Sequence, residues 1–107
     1  MTTVTFYKRN DVFYGFTASG HAGGGEEGYD IYCAAISALT QTACVGLSDV
    51  AKVKVKLKMR DGFLSALVDE KKAHSVECQT IFMTLLLGLR SFDEGNPGYI
   101  QIFEEVQ

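Results

Sequence analysis

Apolar and polar residues follow two different periods along this chain. Five short stretches alternate between apolar and polar positions or are rich in β-branched and aromatic residues, at residues 2–8, 12–19, 51–59, 63–68 and 99–106. Both features are typical of β-strands that bury one face. Turn residues follow the first stretch at Arg9-Asn10-Asp11 and the third at Asp61-Gly62. We therefore predict two β-hairpins and a fifth strand.

Two other stretches have helical periodicity. From Ile31 onward, apolar or small residues recur on nearly all sides of a helix, which predicts a central, mostly buried helix with Asp30 as a plausible N-cap. From about Ala73, an apolar stripe on one side predicts a second, amphipathic helix, and its members are Cys78, Phe82, Leu85 and Leu89. The order β-β-α-β-β-α-β predicts an α+β fold, a mixed sheet with two helices, as a single domain over residues 1–107.

Composition narrows the class of protein. The chain has 107 residues, 47% of them hydrophobic, and a net charge of -3, which indicates one globular domain that is not a general binder of polyanions. The uncharged segment 31–48 is long enough for a membrane helix, but its Ala, Ser, Thr and Gln content favours packing in a globular fold. We see no signal peptide, and three cysteines without a targeting segment predict a reducing, cytoplasmic location with no membrane partner.

The candidate chemistry lies between residues 20 and 39. In the predicted helix, Cys33 falls at the third position, where backbone N–H groups are still unsatisfied and the helix dipole favours a thiolate. His21 precedes it across a glycine-rich loop and would serve as its base. The alternative is that Cys33 is a buried apolar filler and His21 an ordinary loop residue. The residues alone leave both interpretations open.

Two neighbouring residues have alternative roles. Asp30 caps the helix, orients His21 or does neither, and we favour the cap. Ser37 lies one turn after Cys33 and shares its face, where it either hydrogen-bonds in the site or fills a small space against the sheet, and we favour the latter. The loop is expected to close over an extended peptide. Its small residues, which let backbone approach a ligand, are Gly20, Ala22, Gly23, Gly24, Gly25 and Gly28.

We predict structural roles for the other two cysteines and for the second histidine. Cys44 and Cys78 lie on apolar helix positions, and His74 is expected at the surface or at a helix cap. For a zinc site, His21 and the three cysteines would have to be the ligands, and they include no two residues close together in the sequence as zinc sites usually do. The glycine-rich loop carries Glu26 and Glu27 and no lysine, which argues against phosphate binding. We therefore predict neither a metal nor another cofactor.

A row of lysines occupies one side of the third strand, at Lys52, Lys54, Lys56 and Lys58. A solvated face that discourages edge pairing is one explanation. The other is a basic patch for a nucleic acid or a ribosomal surface, although no aromatic residue interleaves the lysines. Direct nucleic-acid binding therefore stays open.

Two motifs resemble one family. G-H-A at 20–22 and D-I-Y-C-A-A-I-S-A-L at 30–39 resemble the ribosomal-processing cysteine proteases (Prp) of Firmicutes and their relatives. Weaker likeness extends over the whole chain, in V-F-Y-G-F, G-L-R-S-F and N-P-G-Y-I-Q-I. Tyr32 departs from the family pattern, where a β-branched residue such as valine is expected, and the change would affect packing or the substrate pocket.

The resemblance implies a specific activity. Members of the family are homodimers of small α+β protomers, and they remove a short N-terminal extension from the twenty-seventh protein of the large ribosomal subunit. The family's catalytic histidine falls on His21 and its nucleophile on Cys33. The family's aspartate and serine fall on Asp30 and Ser37. A cysteine peptidase is therefore expected, and another thiol hydrolase or acyltransferase and a non-enzymatic ribosome-associated module are the alternatives.

Overall fold

The computed structural model describes residues 1–20 and 31–107. Within them the chain forms an α+β fold in the predicted order β-β-α-β-β-α-β. The strands are β1 (Thr2–Arg9), β2 (Val12–Ser19), β3 (Val55–Arg60), β4 (Phe63–Val68) and β5 (Ile100–Val106). The helices are α1 (Ile31–Val45), which a π-helical turn extends over Gly46–Val50, and α2 (Val76–Gly95).

The five strands form one mixed sheet in the order β3-β4-β2-β1-β5. β1 and β5 are parallel, and the other neighbours are antiparallel. The first hairpin turns through Asn10 and Asp11, which have φ angles of 51° and 63°. The second turns through Asp61 and Gly62, and Gly62 has a φ of 71°. Residue types that tolerate a left-handed backbone thus stand where the two tight turns require them, as predicted.

One face of the sheet and the two helices enclose the core. Val4 pairs with Ala18 and Phe6 with Phe16, and all four side chains are buried on the same face. α2 contributes the predicted stripe to the same core cluster, and its four members are buried: Cys78, Phe82, Leu85 and Leu89. The amphipathic character of α2 is therefore confirmed.

The prediction of a mostly buried first helix is wrong. Of the two apolar sides of α1, the side that includes Ile36 and Ala43 packs on the sheet. On the other side Ile31 and Val45 are 69% and 58% exposed. By length and composition Ile31–Val50 is apolar enough to cross a membrane, and only 28% of its most apolar window is buried. The side of α1 that includes Ile31 and Val45 is thus both uncharged and exposed.

The third strand begins later than predicted. Residues 51–54 do not belong to it, because the π-helical turn runs to Val50 and Lys52 has a φ of 59°. β3 lies at the edge of the sheet, and its apolar residues Leu57 and Met59 are 47% and 58% exposed. Apolar and polar residues do alternate along β3. The prediction that the strand buries one face is wrong, because its position at the edge of the sheet leaves both faces accessible.

The second helix also begins a few residues later than predicted. Ser75 is its N-cap, and the Ser75 Oγ accepts a hydrogen bond of 3.1 Å from the Cys78 N–H. Ala73 is fully buried before the helix starts. His74 is exposed, which confirms a surface position, while the capping role belongs to Ser75.

Candidate active site

A cleft of about 630 Å³ opens between α1 and the turn of the β3–β4 hairpin. The helix supplies one wall and the hairpin the opposite wall, while the ends of β1 and β2 form the floor. The helix wall includes Cys33, Ser37 and Gln41, and the hairpin wall includes Met59, Arg60, Asp61 and Phe63. The cleft is large enough to hold several residues of an extended peptide.

Cys33 is the cysteine that lines this cleft, and it is half-buried at the third residue of α1. All three cysteines lie within the described residues, and none forms a disulfide. In the first turn of a helix, backbone N–H groups point toward the N-terminus without intrahelical partners. These N–H groups are available to an anion that forms beside Cys33.

Gly20 lines the cleft from the end of β2. Its N–H donates a 2.8 Å hydrogen bond to the carbonyl oxygen of Gly62, which ties β2 to the turn of the second hairpin. Gly20 has a φ of 97°, and a Cβ there would lie 2.6 Å from the carbonyl oxygen of Met1. Only glycine fits this position without strain.

Gly20 directly precedes His21 in the sequence. His21 and Asp30 lie outside the described residues, together with the predicted loop residues Ala22, Gly23, Gly24, Gly25 and Gly28. The proposed partnership of His21 with Cys33, the roles of Asp30 and the closure of the loop therefore stay predictions.

Ser37 lies one turn after Cys33, and its side chain is exposed at the cleft. The prediction that it fills a space against the sheet is therefore wrong, and the side chain is accessible to a bound peptide. Thr40 lies one turn further along and is 2% exposed. Its hydroxyl donates to the backbone carbonyl oxygen of Ile36 at 2.9 Å, so the polar group at the base of this wall is satisfied within the helix.

The other two cysteines are packing residues, as predicted. Cys44 and Cys78 are 9% and 0% exposed and belong to the core cluster. Burial raises the pKa of both thiols above the ordinary value, because a thiolate is poorly solvated there. Neither is suited to nucleophilic chemistry at neutral pH.

Sequence reasoning missed the hairpin wall of the cleft. The Asp61-Gly62 pair located the turn, but no signal in the sequence said that the turn faces Cys33, because that depends on strand order. Arg60 is part of this wall, and its guanidinium lies 4.3 Å from the centroid of the Phe63 ring. The hairpin thus brings an aromatic surface and a positive charge to the rim of the cleft.

Comparison with known protein families shows the family to which this chain belongs. Residues 1–101 match the family described as cysteine protease Prp. The chain belongs to the cysteine protease Prp family. A Prp-family protein requires a reactive thiol, and among its three cysteines Cys33 alone lines the described cleft. No curated protein sequence matches the chain significantly.

Solved structures share the whole Prp fold. The structure of SMU.848 from Streptococcus mutans is 28% identical with a TM-score of 0.85, and the alignment covers 100% of this chain and 99% of that one. The ribosomal processing protease Prp from S. aureus, with a covalently linked product peptide, is 23% identical with a TM-score of 0.88, covering 98% and 100%. The same S. aureus protease with a substrate peptide is 22% identical with a TM-score of 0.82, covering 98% and 100%.

Proposed function

We propose that this protein is a cytoplasmic ribosomal processing endopeptidase with a Cys33–His21 dyad. Its substrate would be the twenty-seventh protein of the large ribosomal subunit, from which it removes a short N-terminal extension. The observation that carries the proposal is the cleft beside the first turn of α1, which Cys33 and Gly20 both line. The S. aureus relative is described as a ribosomal processing protease, and the family match supports the cysteine chemistry.

The proposed reaction proceeds through an acyl-enzyme. His21 takes the proton of Cys33, and the thiolate attacks the carbonyl carbon of the scissile peptide bond. Backbone N–H groups at the start of α1 stabilise the oxyanion that forms. The imidazolium of His21 then protonates the leaving amine as the C–N bond breaks. Water, deprotonated by His21, hydrolyses the thioester and restores the thiol.

The cleft supports a peptide rather than a small-molecule substrate. Its walls combine the apolar side chains of Ile36, Met59 and Phe63 with the charged residues Arg60 and Asp61 on the hairpin. An extended peptide makes many such contacts with alternate side chains. Ser37 and Gln41 are exposed on the helix wall and offer hydrogen bonds to the peptide backbone.

The protein is also proposed to act as a homodimer. The uncovered face of α1 carries small and apolar residues without charge, and its members are Ile31, Ala34, Ala38, Thr42 and Val45. We name this surface the α1 stripe. Such a face lets a second helix approach closely, and a second copy of the chain presents the same face, as a two-fold interface requires.

The test is incubation of the full-length ribosomal protein with the purified protein, followed by intact-mass measurement of the products. Wild type should release one short N-terminal peptide, and Cys33→Ala should release none while keeping the fold. Cys44→Ala is the matched control, because it removes a thiol from the same helix away from the cleft, and it should retain cleavage. Cleavage by Cys33→Ala at the wild-type rate would refute the assignment.

The same experiment separates the alternatives. An acyltransferase would leave a mass increase on the acceptor peptide rather than a cleaved product. A non-enzymatic ribosome-associated module would bind ribosomal particles but leave the substrate intact, with no difference between wild type and Cys33→Ala.

A further inference from the structure

A stack of aromatic rings lies directly beside the first turn of α1. The rings of Tyr32 and Tyr99 are stacked with centroids 3.9 Å apart and 9° between their planes. Phe92 also contacts Tyr32, with a centroid distance of 6.1 Å and an angle of 66° between the ring planes. Tyr32 is the second residue of α1, Phe92 lies in the last turn of α2, and Tyr99 immediately precedes β5. The stack therefore joins the start of α1 to two other elements.

The stack is an aromatic contact between the first turn of α1, the end of α2 and the residue before β5. The buried side chains of the helix begin at Ile36, a full turn after its start. Before that point Ile31 is 69% exposed and Ala34 is exposed. Tyr32 is the largest side chain of the turn that packs against the core, and Cys33 is the next residue.

Tyr99, on which the ring of Tyr32 stacks, is hydrogen-bonded to the sheet. The backbone carbonyl oxygen of Tyr99 accepts a 3.1 Å hydrogen bond from the N–H of Thr2, at the start of β1. Ile100 follows directly and is 4% exposed in the core. On the other side, the N–H of Asn96 donates to the carbonyl oxygen of Phe92 at 2.9 Å and closes the end of α2. The two rings that contact Tyr32 thus belong to residues whose backbone carbonyl groups are hydrogen-bonded.

We propose that Tyr32 and Tyr99 act together as positioning residues for the Cys33 thiol. Their stack holds the first turn of α1 against the sheet, so that the thiol and the backbone N–H groups of the turn keep a fixed geometry at the cleft. The proposal rests on the proposed function, in which Cys33 is the nucleophile. A displacement of about 1 Å at a reacting group costs on the order of 100-fold in rate. The β-branched residue that the family pattern predicts at position 32, such as valine, has no aromatic ring and could not form this stack with Tyr99.

The test uses single and double variants with two readouts, kcat for peptide cleavage and the pH profile of Cys33 alkylation by iodoacetamide. Tyr32→Ala and Tyr99→Ala should each lower kcat by about 10- to 100-fold. Each should also change the alkylation profile, because a displaced turn alters the surroundings of the thiol. Tyr32→Phe keeps the ring and should retain more of both properties than Tyr32→Ala. The double variant should lose no more than the worse single variant, because both remove one contact.

Controls separate positioning from general destabilisation. Tyr14→Ala removes a half-buried ring that contacts Tyr7 at a centroid distance of 6.1 Å, away from the cleft. It should lower the free energy of unfolding and leave the alkylation profile unchanged. Tyr32→Leu keeps apolar volume and provides a folded variant without the ring, should Tyr32→Ala fail to fold.

Three results would overturn the proposal: an unchanged alkylation profile in the ring-deleted variants, additive losses in the double variant, or the same shift in Tyr14→Ala. Alkylation does not require cleavage, so it reports on the stack independently of the proposed function. Retained cleavage by Cys33→Ala would refute the nucleophile, whereas an intact profile in Tyr32→Ala and Tyr32→Leu would refute only the positioning role.

Discussion

The three thiols of this chain differ in their access to solvent. Cys33 is half-buried at the cleft, whereas Cys44 and Cys78 are buried in the core. The sequence predicted this division, because Cys78 stands on an apolar stripe and Cys33 at a helix start. The exposure of the Ser37 side chain at the cleft was not predictable in the same way. Its spacing from Cys33 fixed the face it shares, but the hairpin that makes this face a cleft wall is far away in the sequence.

Alkylation should distinguish the three thiols. Iodoacetamide at neutral pH should label Cys33 first, because Cys33 is half-buried at the cleft whereas Cys44 and Cys78 are buried in the core. A raised pKa means that less thiolate is present at any given pH, so Cys44 and Cys78 should react only as the pH rises well above about 8.5, the ordinary thiol value. Peptide mapping by mass spectrometry gives the three rates. Equal labelling of all three in the folded protein would contradict the burial of Cys44 and Cys78.

Among the elements, the helices and hairpins differ in how well local sequence defines them. Asn10-Asp11 and Asp61-Gly62 supplied the turns because their backbone conformation depends on the residues themselves. The start of β3 was misplaced because the alternation of apolar and polar residues begins at Ala51, whereas Lys52 has a φ of 59° and residues 51–54 are not part of the strand. The burial of α1 was overestimated for a related reason. A helix that is apolar on all sides does not reveal which side meets the sheet.

The junction between β2 and the second hairpin depends on Gly20. Gly20→Ala forces a side chain into a backbone conformation with a φ of 97° and against the carbonyl oxygen of Met1. We expect a loss of about 1–3 kcal/mol in the free energy of unfolding. Urea denaturation measures it. Cleavage should also fall, because Gly20 lines the cleft and precedes His21.

Gly88→Ala is the matched control for that variant. Gly88 lies inside α2, and a Cβ there meets nothing within 4 Å. Alanine should therefore stabilise the protein by up to about 1 kcal/mol through its higher helix propensity. If both substitutions raise, or both lower, the free energy of unfolding, backbone strain at Gly20 is not the reason that alanine is unfavourable there.

At the scale of the whole molecule, the sequence predicted the fold class but not the strand order. Local patterns define each strand, whereas the order β3-β4-β2-β1-β5 depends on contacts between residues distant in the chain. The cleft is a consequence of that order, since it brings the second hairpin next to the start of α1. The uncovered α1 stripe likewise emerged only once the packing of the helices was known.

A charge in the α1 stripe should prevent dimerisation. The wild-type protein is expected to have twice the mass of the 11.7 kDa chain in light scattering. Ala38→Glu places a carboxylate where two uncharged faces would meet, and it should give a monomer with an unchanged circular dichroism spectrum. Ser91→Glu, on an exposed position of α2, is the control and should remain dimeric. A dimer that survives Ala38→Glu would place the interface elsewhere.

The lysines of β3 should affect encounter with the substrate rather than chemistry. Lys56 and Lys58 are exposed on the edge strand, and no ion pair among the described residues involves them. Changing both to Gln should alter KM and its dependence on salt and leave kcat unchanged, because exposed charges act mainly on association. The exposed pair Lys71 and Lys72 serves as the control. A large fall in kcat at unchanged stability would mean that the strand contributes to the reaction itself.

The two chain ends differ in their relation to the cleft. Met1 lies against Gly20, and Thr2 is part of the cleft floor. Gln107 lies at the opposite end of β1, where its N–H donates to the carbonyl oxygen of Lys8. A purification tag fused before Met1 would therefore emerge next to Thr2, at the floor of the cleft that Cys33 also lines, and would compete there with a bound peptide. Tagged after Gln107, the same protein keeps its substrate path open, so the choice of tag position decides which activity an assay records.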